Sequence, residues 1–224
     1  MAACGNAFCF LYLTHSGIIL ISTVKIIFET ISKGEHMDSA SANYHIRKLW
    51  PVDYPAFRRH LLRLDEETRH ARFGTAVNDA FLEAYADTAK RVGTVIYGAF
   101  IGPDMHASAE LRAIHPMGDT MAEAAFAVEK DHQKHGLGSA LMDRIITTAQ
   151  NRGIGQLHMI CMRENNRMQR LARKFGARMR IDHGDAMGEI EPSHATPLSL
   201  LDEAMHDTTD FVTAVMDWRS GYAA

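Results

Sequence analysis

The chain is short of cysteine, and Cys4, Cys9 and Cys161 form no CxxC pair. That spacing argues against a disulfide framework and makes a reducing, cytoplasmic compartment the simplest expectation. Charge of one sign is also missing. A formal net charge of -3 over 224 residues supplies no field that would hold a nucleic-acid backbone, so no nucleic acid is expected as a partner. The 13 histidines are scattered and none falls in an HExxH pair, so no metal is expected. No glycine loop runs into Gly-Lys-Ser or Gly-Lys-Thr, which disfavours a Walker-type nucleotide site. Repeats and low-complexity stretches are absent, and 46% hydrophobic residues suffice for a core of ordinary size.

A clean membrane-spanning run is lacking as well. Ala7 to Phe28 has about the right length but is interrupted by His15 and Lys25. No basic residue precedes it in Met1 to Asn6, and Glu29 to His36 is polar, so a signal peptide is not expected. Three readings of this segment stay open: an extension upstream of a start at Met37, a membrane anchor, or an extra packed element.

What is present is a change of period along the chain. Tyr44 to Leu49 alternates as a strand, and Tyr54, Phe57, Leu61, Leu62 and Leu64 keep helical spacing. Asp65-Glu66-Glu67 opens a second helical piece, and a third runs from Asn78 to Ala89. Three strands follow, Val95 to Ile101, Met105 to Ala113 and Ala122 to Val128, joined by short turns at Gly102 and Pro116 as an antiparallel meander. A glycine loop leads into a helix from about Leu137 to Asn151. Then come a buried strand Leu157 to Met162, a helix from about Asn165 to Phe175, short strands at Arg178 to Asp182 and Met187 to Glu191, and a terminal helical segment, Leu198 to Trp218.

The most informative stretch is Phe126 to Met142, which joins a strand, a basic glycine loop and an amphipathic helix without a break. Gly136 and Gly138 let the backbone approach an anion, and the unpaired N–H groups of the following helix are aimed at it. On the strand, Glu123, Ala125 and Ala127 share one face while Ala124, Phe126 and Val128 share the other. The pattern Gln133-x-x-Gly136-x-Gly138 after a strand ending in Val128 resembles the acyl-CoA-binding motif of the GCN5-related N-acetyltransferase (GNAT) family. The segment AEAAFAV resembles that family's bacterial protein-lysine acetyltransferase branch, as does the stretch His60 to Gly74. The match spans about Ile46 to Ile190.

The resemblance implies an α/β (α+β) fold: a mixed, mostly antiparallel central sheet with a splayed parallel strand pair, flanked by helices. It divides the chain into an apolar N-terminal extension at 1–36, an acetyltransferase domain at 37–192 and a C-terminal helical segment at 193–224. It puts the backbone of Phe126 and Val128 beside a pantetheine arm. The segment Gln133, Lys134, His135, Gly136, Leu137, Gly138 and Ser139 would hold the diphosphate, and Asn165 would meet the pantetheine side. Acetyl-CoA is the implied co-substrate. The implied reaction is transfer of acetyl to a primary amine, of a protein lysine or a small molecule, by direct attack in a ternary complex. In the branch a Glu at the position matching Glu123 is the base; Glu110, on the preceding strand, is the reserve candidate here and His115 the third. Ala172 stands where many members carry a Tyr that protonates the departing thiolate, so that acid is missing here. The competing reading is a non-catalytic acyl-CoA-binding sensor. Expected partners are acetyl-CoA and an amine acceptor, with membrane contact only if residues 7–28 form an anchor, and with room for a homodimer. The regulatory domains of the larger members are not expected.

Overall fold

A computed structural model describes residues 44–114 and 120–221, with side chains through Trp218. The N-terminal segment, the Pro116 turn and His115 lie outside the described residues.

Alternating apolar residues form the meander expected. Strands β1 (His45–Lys48), β2 (Thr94–Ile101), β3 (Asp104–Ala113) and β4 (Met121–Val128) pair antiparallel in sequence order. The sheet is completed by β5 (Gln156–Met162), β6 (Arg178–Asp182) and β7 (Asp185–Ile190) in the order β1-β2-β3-β4-β5-β7-β6. Among the described residues only β4 and β5 run parallel. The inserted β7 lies between β5 and β6 and pairs antiparallel with both.

The two faces of the central strands bury against different helices. Val95, Tyr97, Ala109, Leu111, Ala122 and Ala124 pack with Leu141, Met142 and Ile145 of α4 (Leu137–Asn151). On the opposite face Ile96, Phe100, Met105 and Ala127 meet Phe57 and Leu61 of α1 (Tyr54–Arg63) and Leu82 of α3 (Asp79–Asp87). Between α1 and α3 runs α2 (Glu66–Phe73), started by Asp65, whose carboxylate accepts from Thr68 N–H at 2.9 Å, and ended by Gly74 with φ 72°. The helix α5 (Asn166–Lys174) lays Met168, Leu171, Ala172 and Phe175, spaced as one helical stripe, against the sheet.

The last helix, α6 (Pro197–Gly221), reverses the usual arrangement. Its inward side is polar: Asp207 takes Lys48 Nζ at 2.5 Å, Asp210 takes Lys48 N–H and Arg144 Nη2 at 2.8 Å each, and Glu203 accepts from Thr148 and Asn151. Leu198, Leu201, Met205, Val212 and Met216 are exposed. No helix of the described residues is long and apolar enough to cross a membrane.

Candidate active site

The strands β4 and β5 pair only at Met121, Ala122 and Glu123, and from Ala124 onward the second edge of β4 has no strand beside it. Between this open edge and the residues after β5 lies a cavity of about 860 Å3, inside the range typical of small-ligand sites. Its walls are Phe126, Ala127 and Val128 of β4, the loop from His132 to Ser139 except His135, the start of α5, and Glu67 to Arg72 of α2 except Arg69.

Local chemistry explains the loop. After β4 the chain makes one 3-10 turn, Lys130–His132, and reaches Gly136 with φ 79°, the left-handed conformation that a glycine adopts at no steric cost. Lys134 is also left-handed, φ 68°, although it carries a side chain. Such strain costs of order 1 kcal/mol and collects where a site requires a particular backbone path. Gly136 caps α4 without a side-chain hydrogen bond, so the first N–H groups of that helix open onto the cavity. At Gly138 an added Cβ would sit 3.3 Å from Leu171, so the start of α4 packs closely against the middle of α5.

The cavity wall includes Phe126, Val128, Gln133, Lys134, Gly136, Leu137, Gly138, Ser139 and Asn165 together. His135 is the exception: it belongs to the loop but not to the wall, and its Nδ1 is buried without a partner. Gln133 bridges the two sides, its Nε2 donating to Val128 O at 3.0 Å and its Oε1 accepting from Arg167. Asn165 is the N-cap of α5, its side chain accepting from Met168 N–H at 3.0 Å. Arg167 and Arg170 stand on the cavity wall, and Lys174 reaches Ser139 Oγ at 3.1 Å. Helical spacing alone does not tell that these cations turn toward the glycine loop.

Glu123 is exposed on the last residue of the parallel pairing, beside Arg112 of β3 and His158 of β5. It is not on the cavity wall; Arg72, which is, lies close enough to feel its charge. His158 has a buried Nε2 with no partner. Strand pairing, not sequence proximity, brings it beside Glu123.

Glu110, the reserve base, is fully buried and already occupied. Arg72 Nη2 donates to Oε1 at 2.9 Å, while Arg112 Nη2 and Tyr85 Oη donate to Oε2 at 2.5 and 3.0 Å. Burial by itself would push this carboxyl up, but the two guanidiniums overcome it and hold the group below its ordinary value. Burial, reinforced by the Glu110 charge, pushes the Tyr85 hydroxyl up to about 12. An ionised carboxylate saturated by donors is a poor proton acceptor, so Glu110 is ill placed to serve as a base. Ala172 is buried against β7, its Cβ close to Gly188, and offers no proton donor.

The acetyltransferase (GNAT) family model matches residues 46–177, more than half of the chain. Acetyltransferase Pat of Mycolicibacterium smegmatis is 28% identical over 181 residues, covering 77% of this chain and 54% of Pat. The chain thus spans about half the length of that curated relative. The crystal structure of the GNAT domain of S. lividans PAT shares the fold with a TM-score of 0.57 at 21% identity, over 66% of this chain and 90% of that one. So does yncA of Salmonella typhimurium, a putative acetyltransferase with its cofactor acetyl-CoA, with a TM-score of 0.54 at 19% identity over 69% and 98%. An opened parallel strand pair over a glycine loop, in a chain that the family's model spans from β1 to the end of α5, makes this protein a member of the GNAT acetyltransferase family.

Proposed function

We propose that the chain is a cytoplasmic N-acetyltransferase that moves acetyl from acetyl-CoA to a primary amine, of a protein lysine or a small molecule, in a ternary complex. The observation that carries this reading is the edge of β4 from Ala124 to Val128, which has no strand beside it and faces a cavity whose other boundary is the glycine loop. A pantetheine arm carries amides and can pair with that edge as an added strand. The diphosphate would lie at the N-terminus of α4, where unpaired N–H groups and the helix dipole favour anions, with Lys134, Arg167 and Arg170 adding charge. Asn165 would meet the pantetheine while it caps α5.

The acceptor is an ammonium with an ordinary pKa of about 10.4, which must lose a proton before its lone pair can attack. Glu123 is the base in this reading, taking the proton directly or through water. The amine nitrogen then bonds to the thioester carbonyl carbon, the C–S bond breaks so that CoA leaves as a thiolate, and the nitrogen gives up its second proton to water as the amide forms. A thiolate is a good leaving group, and water can protonate it where position 172 supplies only Ala.

Release of free thiol from acetyl-CoA with a panel of amines tests the reading. The Glu123→Gln protein is expected to lose roughly 100-fold or more in kcat with little change in KM for acetyl-CoA. An unaltered kcat would remove Glu123 as base. Tight binding of acetyl-CoA with no turnover on any amine would favour the sensor instead.

A further inference from the structure

Just past the open edge of β4 a group of potential ligands converges. Glu129 caps the 3-10 turn Lys130–His132, whose three-residue period brings His132 back over it. His106 of β3 joins from the next strand: its carbonyl accepts Glu129 N–H at 3.0 Å, and its Nδ1 is 2.9 Å from Glu129 Oε2. The imidazoles of His106 and His132 lie nearly face to face, centroids 4.1 Å apart and planes 31° from parallel. One donor atom from each of the three side chains lies within 4.8 Å of the other two, and all three residues are half-buried.

The surrounding hydrogen bonds fall outside this triangle. His60 Nδ1 and Arg63 Nη2 hold Glu129 Oε1, each at 2.9 Å, and Oε2 is left to the inner side. Tyr44 Oη is 2.6 Å from His132 Nδ1, and Nε2 of that ring has no hydrogen bond to a described residue. His60 is braced in turn by Ser108, its Nε2 3.2 Å from Oγ. The order Ser108, His60, Glu129 imitates a nucleophilic triad, but Ser108 and His60 are fully buried and neither lines the cavity, so no substrate reaches them. As an outer layer that orients a ligand carboxylate, the same chain has a function.

We propose that His106, Glu129 and His132 form a binding site for a divalent transition ion of the zinc type. Two imidazoles and a carboxylate are a donor set of that ion, and three protein ligands leave a fourth position open. Zn–N bonds of about 2.0 Å require ligand atoms roughly 3.3 Å apart, so the three side chains close by rotation about their χ angles. The ion would replace the proton that His106 and Glu129 now share. Because His132 lines the cavity and Gln133 follows it, a bound ion would also fix the entry to the glycine loop. The site does not depend on the acetyl-transfer reading. Sequence spacing could not reveal it, since two ligands sit on one turn and the third on the neighbouring strand.

The test is titration of the tag-free, reduced full chain with ZnCl2 by calorimetry, and with Co2+ by its visible absorption. The wild type is expected to show one equivalent that His132→Ala and His106→Ala each abolish, with folding followed by circular dichroism. Tyr44→Phe, which keeps every ligand but removes the second-layer contact, is expected to weaken that equivalent roughly 10-fold. Should His106→Ala unfold the domain, His132→Gln takes its place, and undiminished affinity there overturns the site. Absence of saturable binding by the wild type overturns it equally.

Discussion

Arg72 shows what a single side chain does in this fold. It sits on the cavity wall, donates to both Glu110 and Tyr85, and leaves its Nε buried without a partner. Removing one member of a buried ion pair strands the other, so Glu110→Gln should lose about 3 kcal/mol at pH 7 by urea denaturation. The Arg72→Met, Glu110→Gln double variant should lose less than the sum of its singles, and strict additivity would show that the pair is uncoupled. The effect of pH has a definite sign. The folded carboxyl of Glu110 titrates below its ordinary value of 4.5, so the stability it contributes is complete above that value and is lost as pH falls toward the folded pKa. The gap between wild type and Glu110→Gln should therefore narrow on acidification below about 4.5 and stay constant between pH 6 and 8.

At the scale of elements, the start of α5 combines two roles that can be separated. Asn165→Ala removes the acceptor for Met168 N–H and should cost about 1 kcal/mol. Asn165→Asp keeps the cap but sets a negative charge beside the proposed anion site, so thermal stability should hold while KM for acetyl-CoA rises severalfold. If KM is unmoved, Asn165 serves the helix alone. Most element types were legible because each has its own period: the strands around Val95, Met105 and Phe126, the α4 helix from Leu137, and the α5 stripe all follow from spacing. The 3-10 turn at Lys130 was not, because three residues carry no period. Nor could spacing tell that β7 inserts beside β5, since β-strand pairing is a long-range choice. Within the site, the glycine loop and Asn165 could be read as local motifs, whereas Arg72, Arg167 and His158 acquire meaning only from neighbours distant in sequence.

At the scale of the whole molecule, the described sheet opens where β4 leaves β5, and helices pack on both of its faces. The C-terminal helix stands apart from this plan. Its hold on the domain is a polar seam that runs from Glu203 through Asp207 and Asp210 to Asp217, which accepts from Arg47 Nη2 at 3.4 Å, supplemented by an edge-on contact of Phe211 with Trp50 at 5.1 Å. Sequence showed that α6 is helical and apolar in places, but in ordinary helices the apolar stripe faces inward, and here that inference would turn the helix the wrong way round. The consequence is colloidal. Leu201 and Met205, 54% and 50% exposed, belong to an oily flank that water meets first, so crowding of the protein in solution should be felt there before anywhere near the cavity. Replacing both by Glu should raise the concentration at which static light scattering departs from ideality while leaving affinity for acetyl-CoA untouched, and unchanged scattering would mean that α6 carries its grease without becoming sticky.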